Sequence, residues 1–257
     1  RMAVPCHRSN GADGQAMVTT EQDGQPLLRQ LGCHRIAHGG VVDREDVERL
    51  LLVGLVLVHA DDHFAARVNR RLAPFGKKIG PDPASINACK IGGIAANNAS
   101  GMCCGTAQNS YRTVAGMRVM FADGTVLDTE DAVSIEAFAK TNTVLLNELA
   151  RMGRDTRNNT KLAERIRHKF KIKNTTGYSL NALVDFEDPI DILSHLMIGS
   201  EGTLGFISRI TYNTVIEDPF KASALVFFPD IRSACEAVIR LKPQPVSAVE
   251  LLDRPAL

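Results

Sequence analysis

Residues 80–105 read GPDPASINACKIGGIAANNASGMCCG, and residues 199–207 read GSEGTLGFI. Both stretches are rich in glycine and small side chains, and Asp82 and Lys90 are the only charges in the longer one. Side chains of this size are used where backbone must come close to another group. The longer stretch is therefore expected to line a ligand rather than to build a regular amphipathic element. Glycine lacks the Cβ that would block an approach, and consecutive N–H groups in a turn can face an anion without help from a lysine. A diphosphate-containing cofactor fits two such walls. The bland reading is that both stretches are tight turns.

Outward from these walls the pattern becomes regular. Phe64, Val68 and Leu72 recur at four-residue spacing within Asp61 to Leu72, one face of a short helix stopped by Pro74 and Gly76. Gly116 to Thr129 holds two β-rich runs about Asp123-Gly124, a strong hairpin signal. Helices are expected near Ser134 to Met152, over Lys161 to Lys171, and over Asp188 to Met197, where Asp188 is a candidate cap and Pro189 sits in the first turn. After Gly199, Gly202 and Gly205 the chain alternates, with Phe206, Ser208, Ile210 and Tyr212 on one face of a strand. Past Pro219, Ser223 to Phe228, Ile231 to Leu241 and Val246 to Leu252 read as strand, helix and strand, the opening of a second domain. Residues 1–40 carry turn signals at Asn10-Gly11, Asp23-Gly24 and Gly39-Gly40 and little periodicity.

The 257 residues are 44% hydrophobic and 23% charged, enough for a packed core. Thirty basic against 29 acidic residues leave a net charge of +1, so no global field draws nucleic acid or acidic lipid. The longest apolar run, Leu50 to Val58, falls short of the roughly 18 residues of a membrane span and reads as a buried element. Six cysteines are too sparse for a disulfide scaffold, and no basic-then-apolar leader opens the sequence, which reads as a reduced, cytoplasmic protein and as part of a longer polypeptide.

Motifs for other chemistries are missing. Gly199, Gly202 and Gly205 are spaced G-x-x-G-x-x-G, neither the Rossmann G-x-G-x-x-G nor a P-loop. There is no G-x-S-x-G elbow for a serine hydrolase and no H-E-x-x-H or C-x-x-C, and the adjacent Cys103-Cys104 pair is poorly placed to grip one metal, so no metal site is expected. Lys161, Arg165, Arg167, Lys169, Lys171 and Lys173 form a basic run. Leu162, Ile166 and Phe170 recur through it as a buried stripe, which favours a solvated helix face over nucleic-acid binding or a contribution to an anionic cofactor or substrate pocket. The seven histidines are scattered, and none stands out as a catalyst.

Three strings together point to a family: KIGPDPASINACKIGGIAANNASGMCCG at Lys78 to Gly105, KNTTGYSL at Lys173 to Leu180, and GSEGTLGFI at Gly199 to Ile207. The chain resembles the FAD-linked oxidases of the vanillyl-alcohol oxidase (PCMH) type. Within them it is most similar to the large flavin and iron–sulfur D-2-hydroxyacid dehydrogenases, which include D-lactate and D-2-hydroxyglutarate dehydrogenases. The resemblance implies an α+β fold: an FAD-binding domain of two α/β subdomains over residues 1–216, altered at its N-terminus, then the start of an α+β substrate (cap) domain over 217–257.

It also implies which residues hold FAD, non-covalently. Pro81, Asp82, Pro83 and Ser85 would lie along the cofactor, and Gly92, Gly93, Asn97, Asn98, Gly101 and Gly105 would let backbone reach it. Glu201, Gly202, Leu204, Gly205 and Ile207 would complete the cradle, with Gly177 and Tyr178 near the flavin. The family's R-x-x-G-T-S-x-x-G-Q pyrophosphate loop has its counterpart at RSNGADGQ, where Arg8, Asn10, Gly11, Gly14 and Gln15 remain without the G-T-S core.

The implied reaction passes hydride from the α-carbon of a small 2-hydroxyacid to FAD. The family's histidine base lies in the later cap domain and its iron–sulfur cluster in a longer parent chain, so no catalytic residue and no electron acceptor are assigned here. The alternative is a non-catalytic or disrupted remnant of such a domain that no longer holds flavin.

Overall fold

The computed structural model describes residues 55–59 and 64–253. Contacts divide this chain between Pro219 and Phe220, and the two parts are taken separately.

The part before Phe220 is built on an antiparallel sheet whose central strand is β5 (Phe206–Ile216). Along β5 runs β1 (Leu55–His59), with Leu57 opposite Thr211; Leu55 to Val58 are the end of the apolar run. The last residues of β5 pair with β2 (Lys77–Ile79). β3 (Val114–Met120) also pairs with β5, and β4 (Val126–Asp128) pairs with β3. The β3–β4 turn is the expected hairpin: Gly124 has φ +83°, its N–H donates to Phe121 O at 3.0 Å, and Asp123 accepts from Thr125 N at 2.9 Å.

Along β5 the observed burial departs from simple alternation. Arg209 pairs with Arg118 but Ile207 pairs with Val119, so Ser208 is an extra, bulged residue. One extra residue reverses the facing of everything before it. Ile207 therefore joins Ile210 and Tyr212 in the core, while Phe206, expected on their face, is 49% exposed. The face that carries Arg209 and Thr211 is covered too. Arg209 donates to Asp128 at 2.5 Å and stands 3.7 Å from Glu130, whose carboxylate accepts from Thr211 Oγ1 at 2.7 Å. Burial pushes the Glu130 carboxyl up despite that donor and the nearby guanidinium.

Helices cover the sheet. α1 (Ala65–Leu72) buries Val68 and Leu72; Phe64 precedes it, 42% exposed, and Asp61 to His63 lie outside the described residues. Within the glycine-rich stretch, where no regular amphipathic element was expected, α2 (Ile91–Asn97) forms and buries Ile91, Ile94 and Ala95. These sit at i, i+3 and i+4, so a single apolar stripe suffices although Gly92 and Gly93 dilute the composition. After the single turn α3 (Ser110–Thr113), the helical stretch near Ser134 to Met152 is two helices, α4 (Ala132–Thr141) and α5 (Thr143–Asn158), joined at Asn142.

Most of the basic run lies on α6 (Thr160–Lys169), with Lys171 and Lys173 beyond its end; the helix buries Ala163 and Ile166 with Phe170 packed against them, while Leu162, predicted in the buried stripe, is 41% exposed. α7 (Ala182–Asp185) leads to α8 (Pro189–Met197), capped as expected by Asp188, which accepts from Ile190 N at 2.7 Å and Asp191 N at 3.2 Å. No helix among the described residues is long and apolar enough to cross a membrane.

In residues 220–253 the predicted helix is present as α9 (Ile231–Leu241), capped by Asp230 on Ser233 N at 2.8 Å. The two flanking strands are not formed. Ser223 to Phe228 and Val246 to Leu252 carry no ladder among the described residues, and Leu225 and Phe227 are 68% and 76% exposed. β-rich sequence makes a strand only beside a pairing neighbour, because the backbone hydrogen bonds lie between chains.

Candidate cofactor-binding site

Three separated segments meet at the C-terminal end of α2. Asn97 and Asn98 close the helix, Asn98 in the left-handed conformation at φ +52°. From here Gly199 N donates to Ala95 O at 3.2 Å and Glu201 N to Ala96 O at 2.9 Å, so the 199–207 stretch is sewn to the helix end by backbone. Asn97 Nδ2 donates to Glu201 Oε1 at 2.5 Å, tying the two walls through side chains as well. The 173–180 segment closes the third side: Asn98 Nδ2 donates to Asn174 O at 3.3 Å, and Tyr178 shares a 2.9 Å hydrogen bond with Thr203.

Some glycines here are required by contact. At Gly199, φ +87°, a Cβ would stand 3.2 Å from Gly177 O. At Gly101 it would stand 1.8 Å from Asp82 O, because the turn after Ser100 is folded onto Asp82, whose carboxylate accepts from Cys103 N at 3.2 Å and Cys104 N at 3.1 Å. Burial pushes the Cys104 thiol up, which keeps it a neutral packing group beside Gly101 N. Other glycines face open space: Gly93, Gly105, Gly177 and Gly202 have nothing within 4 Å of where a Cβ would stand. Two buried polar atoms at the junction, Asn98 Oδ1 and Ser200 Oγ, have no hydrogen-bond partner. Bare backbone facing outward beside unspent polar atoms is the surface a flat, diphosphate-bearing cofactor needs, and the residues present fit such a group.

The family comparison falls on part of the same region. Residues 65–130 match the family described as FAD binding domain. D-2-hydroxyglutarate dehydrogenase of Escherichia coli (strain K12) is 29% identical over 147 residues, covering 56% of this chain and 14% of that protein. D-2-hydroxyglutarate dehydrogenase of Haemophilus influenzae (strain ATCC 51907 / DSM 11121 / KW20 / Rd) is 24% identical over 206 residues, covering 74% of this chain and 19% of that protein. The chain thus spans less than a fifth of the length of either relative. A structure of alkyldihydroxyacetonephosphate synthase matches at 16% identity and a TM-score of 0.35, covering 68% of this chain and 21% of that one.

Around this junction the structure brings together Asp82, Asn97, Asn98, Gly101, Gly177, Tyr178, Glu201 and Gly202 from the three strings. Gly92 and Gly93 lie in the first turn of α2, while Pro81, Pro83 and Ser85 belong to the loop that precedes it. Two predicted positions are structural. Gly205 lies against Met120 O, where a Cβ would stand 2.9 Å away, and Ile207 is a core residue of β5. Leu204 packs against the same core. Arg8, Asn10, Gly11, Gly14 and Gln15 lie outside the described residues.

The sequence pattern placed Lys173 only in the basic run and singled out none of Asn174, Ser200 and Thr203, although the quoted strings contain all four. Lys173 Nζ donates to Gly101 O at 3.0 Å, and Thr203 Oγ1 donates to Ser200 O at 2.6 Å. Their partners are backbone carbonyls, which a reading of glycine spacing does not reveal. Among the described residues, no three His, Cys, Asp or Glu side chains come together as a metal site would require.

Proposed function

We propose that the chain is the FAD-binding portion of a flavin-dependent D-2-hydroxyacid dehydrogenase, of the D-lactate or D-2-hydroxyglutarate type. The observation that carries the reading is the convergence of three segments at the C-terminal end of α2, with Gly105, Gly177 and Gly202 of those segments facing open space. The substrate class is supported by the names of the two bacterial relatives. When bound, FAD supplies a two-electron acceptor for the hydride on the substrate's α-carbon.

The chain's own residues bind and orient. Asp82 fixes the Gly101–Gly105 turn through the Cys103 and Cys104 amides, the Asn97–Glu201 pair sets the spacing of the two walls, and Tyr178 with Thr203 closes the rim. Pro81, Pro83, Ser85, Gly92, Asn98, Leu204, Gly205 and Ile207 line or support the same cleft in this reading. Arg8, Asn10, Gly11, Gly14 and Gln15 supply the diphosphate loop. Residues 217–257 begin the substrate domain in this reading, and no catalytic base, electron acceptor or iron–sulfur cluster is assigned to these residues. Non-covalent attachment and a cytoplasmic setting complete the proposal, the latter supported by the sparse cysteines.

The test is a titration of the flavin-free chain with FAD, FMN and riboflavin, followed by flavin fluorescence. The reading expects FAD to bind much more tightly than the two shorter flavins and to be released intact by denaturant. Equal affinity for FMN would remove the dinucleotide cradle, and no uptake of any flavin would favour the remnant reading. Substrate class is tested separately by anaerobic bleaching of the FAD-loaded protein that contains the substrate domain. Bleaching by D-2-hydroxyglutarate or D-lactate is expected, and bleaching by the L enantiomers instead would overturn it.

A further inference from the structure

The Gly101–Gly105 turn is held from two sides by opposite charges. On its amide side the Asp82 carboxylate accepts from Cys103 N and Cys104 N, and Gly101 is pressed so closely onto Asp82 that a Cβ would stand 2.1 Å from the carboxylate oxygen. On its carbonyl side the Lys173 ammonium donates to Gly101 O at 3.0 Å across 72 positions of sequence. The next residue along, Asn174, accepts from the Asn98 side chain with its own carbonyl, so the 173–174 pair grips both ends of the Asn98–Gly101 bend. The turn so held presents Gly105 at φ +52° to open space.

A lysine side chain loses much rotamer freedom when it is fixed, and an ammonium near the surface is well satisfied by water. Its engagement with one backbone carbonyl is therefore informative. A charge-assisted donor holds a carbonyl more firmly than a neutral one would.

We propose that Lys173 is a positioning residue for FAD: by fixing the Gly101 carbonyl it holds the Gly101–Gly105 turn in the shape that receives the cofactor. This rests on the FAD-binding reading given above. Lys173 is not assigned to the chemistry and acts through the turn.

The clamp is tested first without flavin, by amide hydrogen exchange on the 257-residue chain and its variants. Lys173→Met, which keeps the aliphatic stem, lowers protection of the Cys104 amide about tenfold, while amides of β3 and β5 keep theirs and the unfolding midpoint does not move. Lys173→Arg, which keeps charge and donor, restores protection. Unchanged Cys104 exchange in Lys173→Met overturns the clamp whether or not the chain takes up flavin. FAD titration then reads the consequence, an about tenfold weaker dissociation constant for Lys173→Met and near-native binding for Lys173→Arg. If the unsubstituted chain binds FAD and Lys173→Met binds it equally, the role of Lys173 falls and the flavin reading stands. If the unsubstituted chain binds no FAD, both fall.

Discussion

The sheet and the glycine walls of residues 64–219 use glycine in opposite ways. Around β5 and in the folded turns, glycine is where atoms touch: a Cβ at Gly116 would meet Glu130 Cγ at 2.4 Å, and one at Gly101 would meet Asp82. In the walls, Gly93, Gly105, Gly177 and Gly202 touch nothing. The first kind permits close packing and contributes to stability. The second keeps a surface bare; Gly105, Gly177 and Gly202 also take the left-handed backbone that favours glycine, whereas nothing in the flavin-free protein requires Gly93. Substitutions in the two classes should therefore register in different measurements.

The largest expected effect comes from a packed glycine. Gly101→Ala drives a methyl into backbone, which cannot give way as a flexible side-chain end can, and should cost about 4 kcal/mol in chemical denaturation. Asp128→Asn follows. Arg209 is 3% exposed beside Asp128, and the exchange removes the carboxylate at 2.5 Å while Glu130 remains 3.7 Å away, so a loss of about 3 kcal/mol is expected. A near-native unfolding midpoint for that variant would mean the buried pair contributes little.

An open glycine should do the reverse. Gly93 sits in α2 at negative φ with space around it, so Gly93→Ala should stabilise the flavin-free protein by about 0.5–1 kcal/mol through helix propensity. In the proposed reading Gly93 faces the cofactor, so the same methyl should lower FAD affinity. Gains in both stability and affinity would show that Gly93 does not face the flavin.

The smallest effect is a pH slope on the scaffold side. His195 stacks on Phe186 at 3.9 Å and meets the edge of Tyr111 at 5.0 Å, and burial holds its pKa below the ordinary 6.5. The unfolded chain therefore takes up this proton first as pH falls. Stability should be full above about pH 6.5 and decline below it until the folded histidine also protonates. His195→Gln should flatten that slope in denaturation midpoints measured across the range; an unchanged slope would assign it to other groups.

Much of this was legible in the sequence wherever local rules decide. Asp188 with Pro189 announces a capped helix start, and Asp123-Gly124 announces the hairpin, because each depends on a few adjacent residues. The bulge at Ser208 was not legible, since it is a relation between β5 and β3. α2 was hidden by its glycines, although Ile91, Ile94 and Ala95 carry a helical spacing. Ser223 to Phe228 has strand composition and no strand, because composition does not supply a neighbour. In the site, the glycine strings marked segments that meet at the end of α2, while the contact of Lys173 with Gly101 and the unpartnered Ser200 hydroxyl were not legible because they depend on what folds against them.

The most direct measurement is the visible absorption spectrum of the purified chain after incubation with FAD and gel filtration. The account predicts a flavin band that travels with the protein and is released on denaturation. A colourless protein fraction, with all FAD in the small-molecule volume, would contradict the claim that these walls form a working FAD cradle.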